Sequence, residues 1–384
     1  VRSVGASAFG AVSALVGLAV TLIGLVARWE PVTVLGAGLV VLDAGSLSYV
    51  MRRPRISLLR SIEPHYVEKG SPAVALIEAT NQSRRAVTSL SIEQNIGDRR
   101  IASSLPRLAA GQSAMRAYRL PTDSRGTFRV GPIDLPRSDP FGMWRSVQIL
   151  GSTDVIRVRP RKVRLAPLDV GVSTIVEGPS SDASPQGNIT FHRLREYVIG
   201  DDLRLVHWPS SAHLGRLVVR QNVDTAQART VVVLDLDFSS YGEGGFEQAV
   251  DVAASVVAGM SSGRAPVELR STSGVVLGST SLADVHAIDD YLTDVTPDGS
   301  GSVLGQLLLL RRTKGGTSLV VVAGSVSSDV MAALAALRRR FNRIIVVSIV
   351  DEPVRRSSHP GVSVLQCRDA DEVARRWRTG TGLS

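Results

Sequence analysis

Apolar and polar positions divide the 384-residue chain into distinct regimes. The first is continuous. No charge interrupts Val4 to Ala27, and the apolar run resumes from Val32 to Val50 after the polar break Arg28-Trp29-Glu30-Pro31. A helix of those first 24 residues is about 36 Å long, enough for a bilayer core of roughly 30 Å. Residues 1–53 are therefore predicted to form a transmembrane helical hairpin, with one acid, Asp43, inside its second span.

From 54 to 165 the pattern shortens and alternates. Ile56-Ser57-Leu58, Val74 to Thr80, Leu90-Ser91-Ile92, Ser113 to Leu120, Phe128 to Leu135 and Asp154 to Arg159 show the two-residue period of half-buried strands. Breaks fall at Asn81-Gln82-Ser83, Gly97-Asp98, Ala110-Gly111 and Asp139-Pro140, which predicts an all-β sandwich domain. Residues 166–229 form a linker, with loop signals at Gly178-Pro179 and Pro185-Gln186-Gly187, then a dense polar and aromatic stretch from Phe191 to Arg220.

Beyond Thr230 strand and helix periods alternate. Strands are expected at Val231 to Leu234, Val267 to Leu269, Val275 to Leu277, Leu319 to Ala323, Ile344 to Val350 and Val362 to Leu365. Helices are expected at Phe246 to Met260, Leu282 to Leu292, Val303 to Leu310, Ser328 to Phe341 and Asp369 to Arg378. Such alternation predicts a doubly wound α/β domain over 230–384.

Charge sets the expected topology. Arg52, Arg53, Arg55 and Arg60 outweigh Arg28 in the connecting turn, which places the bulk of the chain in the cytoplasm beneath an inner membrane. A secretory signal peptide is the competing reading, but Leu25-Val26-Ala27 is a poor cleavage site and a second span follows at once. Asp43 reads as a helix-pairing contact or an interfacial residue, with an ion pathway as the alternative.

The net charge of +9 would suit a polyanion. Yet Lys69, Lys162 and Lys314 are the only lysines among 44 basic residues, and the arginines gather at the membrane boundary, the central motif and helix ends. With aromatics at 4%, nucleic acid is not the expected partner. A single cysteine, Cys367, excludes a disulfide framework and a multi-cysteine zinc site.

Two places could carry chemistry. The first expected parallel strand ends in Asp235-Leu236-Asp237-Phe238-Ser239, whose oxygens suit Mg²⁺ or Mn²⁺. This resembles the metal-ion-dependent adhesion site of von Willebrand factor A domains, with Asp237 in place of a serine. Those domains also use a Thr and an Asp from later loops. Here Thr296 is the candidate Thr, and Ala323-Gly324-Ser325 stands where the Asp is expected. Otherwise the acids cap the following helix or bond the loop.

The second place is Arg195-Glu196-Tyr197-Val198-Ile199-Gly200-Asp201-Asp202-Leu203-Arg204, followed by His207-Trp208 and by Gly215-Arg216-Leu217-Val218-Val219-Arg220. With Arg125-Gly126-Thr127-Phe128 and Asp139-Pro140-Phe141-Gly142, it resembles the domain of unknown function 58 family. Pro209 and His213 depart from the pattern, where basic residues are usual.

The resemblance implies a von Willebrand factor A-like domain, a MoxR-type AAA+ ATPase partner and a membrane-bound, chaperone-like assembly role. The ionic residues of this stretch suit an ion-pair network, a folded collar or a partner-docking surface, and Trp208 would anchor it against the α/β domain.

A hydrolase using His192, His207, His213, Asp201, Asp202 and Ser210 is conceivable. Without a nucleophile elbow, a His-Glu-x-x-His helix or a phosphate loop, no enzyme is expected. The preferred expectation is a non-enzymatic scaffold or adaptor. A divalent-dependent protein-binding module that needs no ATPase is the alternative.

Overall fold

The structure, a computed structural model, describes residues 2–52, 54–88, 90–168, 192–198, 206–222, 229–263, 265–279, 281–313, 316–352 and 360–380. The chain folds as two compact units, Val1–Arg159 and Pro160–Ser384.

The first unit opens with a strand, β1 (Arg2–Ala6), then two helices, α1 (Ala8–Val26) and α2 (Glu30–Met51). Its further strands are β2 (Ile56–Glu63), β3 (Tyr66–Glu68), β4 (Val74–Asn81), β5 (Leu90–Ile96), β6 (Arg99–Leu105), β7 (Ser113–Arg119), β8 (Gly126–Ser138), β9 (Trp144–Leu150) and β10 (Asp154–Arg159). The apolar run beginning at Val4 does not enter a helix directly. Residues 2–6 instead pair antiparallel with β9, from Arg2 opposite Gln148 to Ala6 opposite Trp144. Ser7 then caps α1, its side chain accepting the Gly10 N–H at 3.0 Å. An uncharged stretch is compatible with either state, and the open edge of β9 decides for the strand.

Both helices are long and apolar enough to cross a membrane. They pack through small residues: Gly24 lies against Thr33 and Gly36 against Thr21, so closely that neither site has room for a Cβ.

The strands form a seven-stranded sheet, with the path β1-β9-β8-β10-β3 and with β5 and β6 branching from β8, and a three-stranded sheet β2-β4-β7. On β4 the alternate residues Ala75, Ile77 and Ala79 are buried. Ile77 and Ala79 join Ile92, Leu105 and Ile133 of the larger sheet in one apolar cluster, and Ala75 joins Val130, Ile156 and Val158 in another. Arg60 is not the free boundary charge that the topology argument assumed. Its side chain is 4% exposed, and its Nε donates to Asp154 at 2.7 Å.

The second unit holds β11 (His192–Glu196), α3 (Trp208–Leu214), β12 (Val218–Asn222), β13 (Thr230–Leu234), α4 (Gly245–Ser262), β14 (Val267–Ser271), β15 (Val276–Ser279), α5 (Leu282–Asp294), α6 (Val303–Leu310), β16 (Gly316–Ala323), α7 (Ser328–Leu337), β17 (Phe341–Ile349), β18 (Ser363–Cys367) and α8 (Ala370–Gly380). Its main sheet runs β15-β14-β13-β16-β17-β18 and is parallel except for the β14–β15 pair. All five residues of β13 are buried, because both sheet faces are covered. Val232 and Leu234 pack with α4, α5 and α8, whereas Val231 and Val233 pack with α6 and α7.

Ahead of β11, residues 160–168 lie along α4 as a strap. The Arg161 and Val163 N–H groups each donate at 2.9 Å, to Asp251 and Ser255. Trp377, 1% exposed, donates its indole N–H to the Ala166 carbonyl at 2.9 Å. The strap therefore belongs to the second unit, although its sequence was grouped with the preceding strands up to 165.

Candidate functional site

The carboxyl ends of the parallel strands bring together Asp235, Asp237, Ser239, Ser240 and Thr272. Asp235 follows the last buried residue of β13 and is itself 4% exposed. Its carboxylate accepts the Asp237 N–H at 3.1 Å and the Ser240 hydroxyl at 2.9 Å. Burial raises the Asp235 carboxyl above the usual carboxylate range, against the lowering effect of those donors. Asp237 caps a short 3₁₀ turn, Phe238–Ser240, accepting the Ser239 N–H at 2.9 Å and its hydroxyl at 2.7 Å. Tyr241 donates its hydroxyl to the Asp235 carbonyl at 2.8 Å, and burial pushes its phenol well up, with the neighbouring aspartates adding to the effect.

Thr272, which the sequence pattern does not single out, stands beside this loop. Its hydroxyl oxygen accepts the Leu236 N–H at 2.9 Å, whereas Thr296 is exposed beyond α5. No signal in the pattern favours Thr272, because its proximity follows from β14 lying beside β13 in the sheet. At Ala323-Gly324-Ser325 backbone closes the site: the Ser325 N–H donates to the Ser240 carbonyl at 2.7 Å, and Gly324 packs too tightly there for a Cβ.

As arranged, these residues do not present a vacant donor set to a divalent cation: each oxygen of Asp235 already takes a loop donor, and Asp237 takes the Ser239 N–H and hydroxyl. Among the described residues, no group of three or more His, Cys, Asp or Glu could hold a metal ion.

The central motif forms a small antiparallel ribbon. Arg195 pairs with Val219 and Glu196 with Val218, and α3 is inserted between the strands. His207 is the N-cap of α3: its Nδ1 accepts the Ser210 N–H at 3.3 Å and lies 2.7 Å from the Ser210 hydroxyl. The Ser211 hydroxyl accepts the Val218 N–H at 2.9 Å, tying α3 to β12. His207 and Ser210 thus meet as a local cap, while His213 is exposed in the last turn of α3.

Trp208 does not anchor the segment, for it is 63% exposed, as are Val198 at 62% and Leu214 at 53%. Position explains this: α3 has only seven residues, and its buried contact is Ser211. Of the expected ion pairs, Arg216–Glu196 forms at 3.4 Å between two exposed side chains, an arrangement worth about 0–1 kcal/mol. Tyr197 is half-buried, its N–H donating to the Leu217 carbonyl at 2.9 Å. Gly200, Asp201, Asp202 and Arg204 lie outside the described residues, as do the side chains of His192, Arg195 and Arg220.

Two apolar helices able to span a membrane, two facing sheets and a parallel-stranded α/β unit define a mixed α/β chain. Residues 193–377, from β11 through most of α8, match the model of the family described as "Protein of unknown function DUF58". No curated protein matches it. Solved structures with some similarity include the CARDB domain of a Pyrococcus furiosus protein, at 15% identity over 27% of this chain and 88% of that one, with a TM-score of 0.21. A β-glucosidase from Listeria innocua is 13% identical over 27% of this chain and 16% of that one, with a TM-score of 0.20. A domain of a putative cell surface protein from Methanosarcina acetivorans is 12% identical over 28% and 93%, with a TM-score of 0.20.

Proposed function

We propose that this protein is a non-enzymatic scaffold or adaptor of the inner membrane. Two spans anchor a β-sandwich and a von Willebrand factor A-like domain in the cytoplasm, where the chain works with a MoxR-type AAA+ ATPase in assembling membrane-associated complexes. One observation carries the reading: among the described residues of the matched segment, His207 and Asp235 are committed to internal hydrogen bonds, while Trp208, Val198 and Leu214 are exposed. Exposed tryptophan in an arginine-rich setting is the composition of a protein-binding hot spot. Arg52 and Arg55 beside the second span, against Arg28 at the tip, support the cytoplasmic orientation. The pairing of β1 with β9 supports two spans rather than one, because it returns the chain to the side on which it began.

The test is affinity purification of the full-length protein from detergent-solubilised membranes. An AAA+ ATPase is expected to co-purify, and Trp208→Ala is expected to reduce its recovery by tenfold or more, in line with the roughly 2 kcal/mol or greater contribution of a hot-spot tryptophan. Recovery of no ATPase, or equal recovery with the variant, would overturn the reading.

A further inference from the structure

The turn Asp139-Pro140-Phe141-Gly142 between β8 and β9 plays no part in the ATPase reading, yet it is firmly built. The Asp139 carboxylate accepts the Phe141 N–H at 2.9 Å and the Trp144 N–H at 2.6 Å. The turn is also fixed to both helices. The Met143 carbonyl accepts the Ser7 N–H at 2.8 Å, and Gly10 leaves room only for the Met143 backbone. The Trp144 indole donates to Asp43 at 3.3 Å, and the opposite oxygen of Asp43 takes the Ser13 hydroxyl at 2.7 Å. Arg137 donates to the Arg52 carbonyl at 2.9 Å with its guanidinium 4.5 Å above the Tyr49 ring, a pairing suited to the interfacial end of a span.

Depth follows from these contacts. Asp43 lies eight residues before the end of α2 at Met51, so β9 reaches about 12 Å along that helix. A bilayer core of about 30 Å, measured from the charged tip at Arg28, extends back some 20 residues, to about residue 8 of α1. That is the level at which Met143 touches Ser7 and Gly10. There Phe141 is 58% exposed at the crest of the turn, and Phe9 is 62% exposed on α1.

We propose that this turn is a membrane-inserted wedge, with Phe141 entering the boundary between lipid headgroups and acyl chains. The β unit is then seated in the bilayer surface instead of hanging from it on a tether. The occupant is lipid because the Met143 contacts hold the turn against the start of α1, a helix long and apolar enough to cross a membrane whose Phe9, Val12 and Leu15 are exposed. The inference rests on the hairpin crossing the bilayer.

Its test is spin labelling of the full chain in nanodiscs of phosphatidylcholine and phosphatidylglycerol. In a Cys367→Ala background, labels are placed singly through Phe141→Cys, Val16→Cys within α1 and Asp298→Cys as a solvent reference. Collisions with oxygen and with a water-soluble nickel chelate are then compared. The label at 141 is expected to be oxygen-accessible and at least fivefold less accessible to the chelate than the label at 298. Equal chelate access at 141 and 298, with 16 lipid-buried, would overturn the wedge while leaving the span intact. Protection of 141 from both reagents would overturn it in favour of a protein contact. Chelate access at 16 as well would remove the span and the wedge together.

Discussion

Two buried aspartates, one in each unit, sit in opposite electrostatic conditions. Burial opposes ionisation of Asp139, but the N–H groups of Trp144 and Phe141 outweigh it and hold the carboxyl below the usual range. As pH falls the unfolded chain takes up this proton first, so the stabilisation is complete above about pH 4 and lost below it. For Asp235 the sign reverses: its carboxyl is raised by burial, so its contribution is present below about pH 4 and lost as pH rises through the raised value. Asp139→Asn is therefore expected to lower stability at pH 7 by about 1.5–3 kcal/mol, the worth of hydrogen bonds to a charged group. Asp235→Asn is expected to leave it unchanged or raise it. Thermal melts in detergent at pH 7 check both, and equal losses from the two substitutions would contradict the assignment. The same engagement of Asp235 sets the metal expectation: calorimetric titration of the full chain with Mg²⁺ or Mn²⁺ should give no saturable heat at millimolar concentration. A saturable signal abolished by Asp235→Ala would reverse that conclusion.

At the scale of elements, the strap 160–168 shows how a segment of irregular sequence acquires a fixed place. Asp251 and Ser255, one turn apart on α4, supply its acceptors, and Trp377 of α8 closes over it. Trp377→Ala is expected to cost about 3–5 kcal/mol, read as a lowered melting temperature or denaturant midpoint, because it opens a core cavity and removes the donor to Ala166. A loss below about 1 kcal/mol would mean that the strap is held without it. Most strands and helices were legible from period alone, including β4, β10, β13, α4 and α6. The shorter or more polar strands were not. Neither β3 nor β6 has an apolar run long enough to register, and β1 is drawn from apolar sequence by the free edge of β9. The helix expected over Ser328 to Phe341 stops at Leu337, because Phe341 is 2% exposed as the first residue of β17.

For the whole molecule, the sequence by itself determined the order of the parts. Two uncharged runs, a region of two-residue alternation and a region of alternating strand and helix follow from local periodicity and solvent preference, and the family-matched motif was visible as spelled. Only the tertiary structure decided what the conspicuous residues do. Asp43 joins the two helices to β9 through Ser13 and Trp144, and Arg60 is spent inside the β unit on Asp154. Asp235 serves its own loop, and Trp208 turns outward. The outcomes for Asp43 and Arg60 depend on partners tens of residues away, brought close by strand pairing and helix packing. A local pattern records whether a residue favours burial or water, but not which distant donor or acceptor will meet it there.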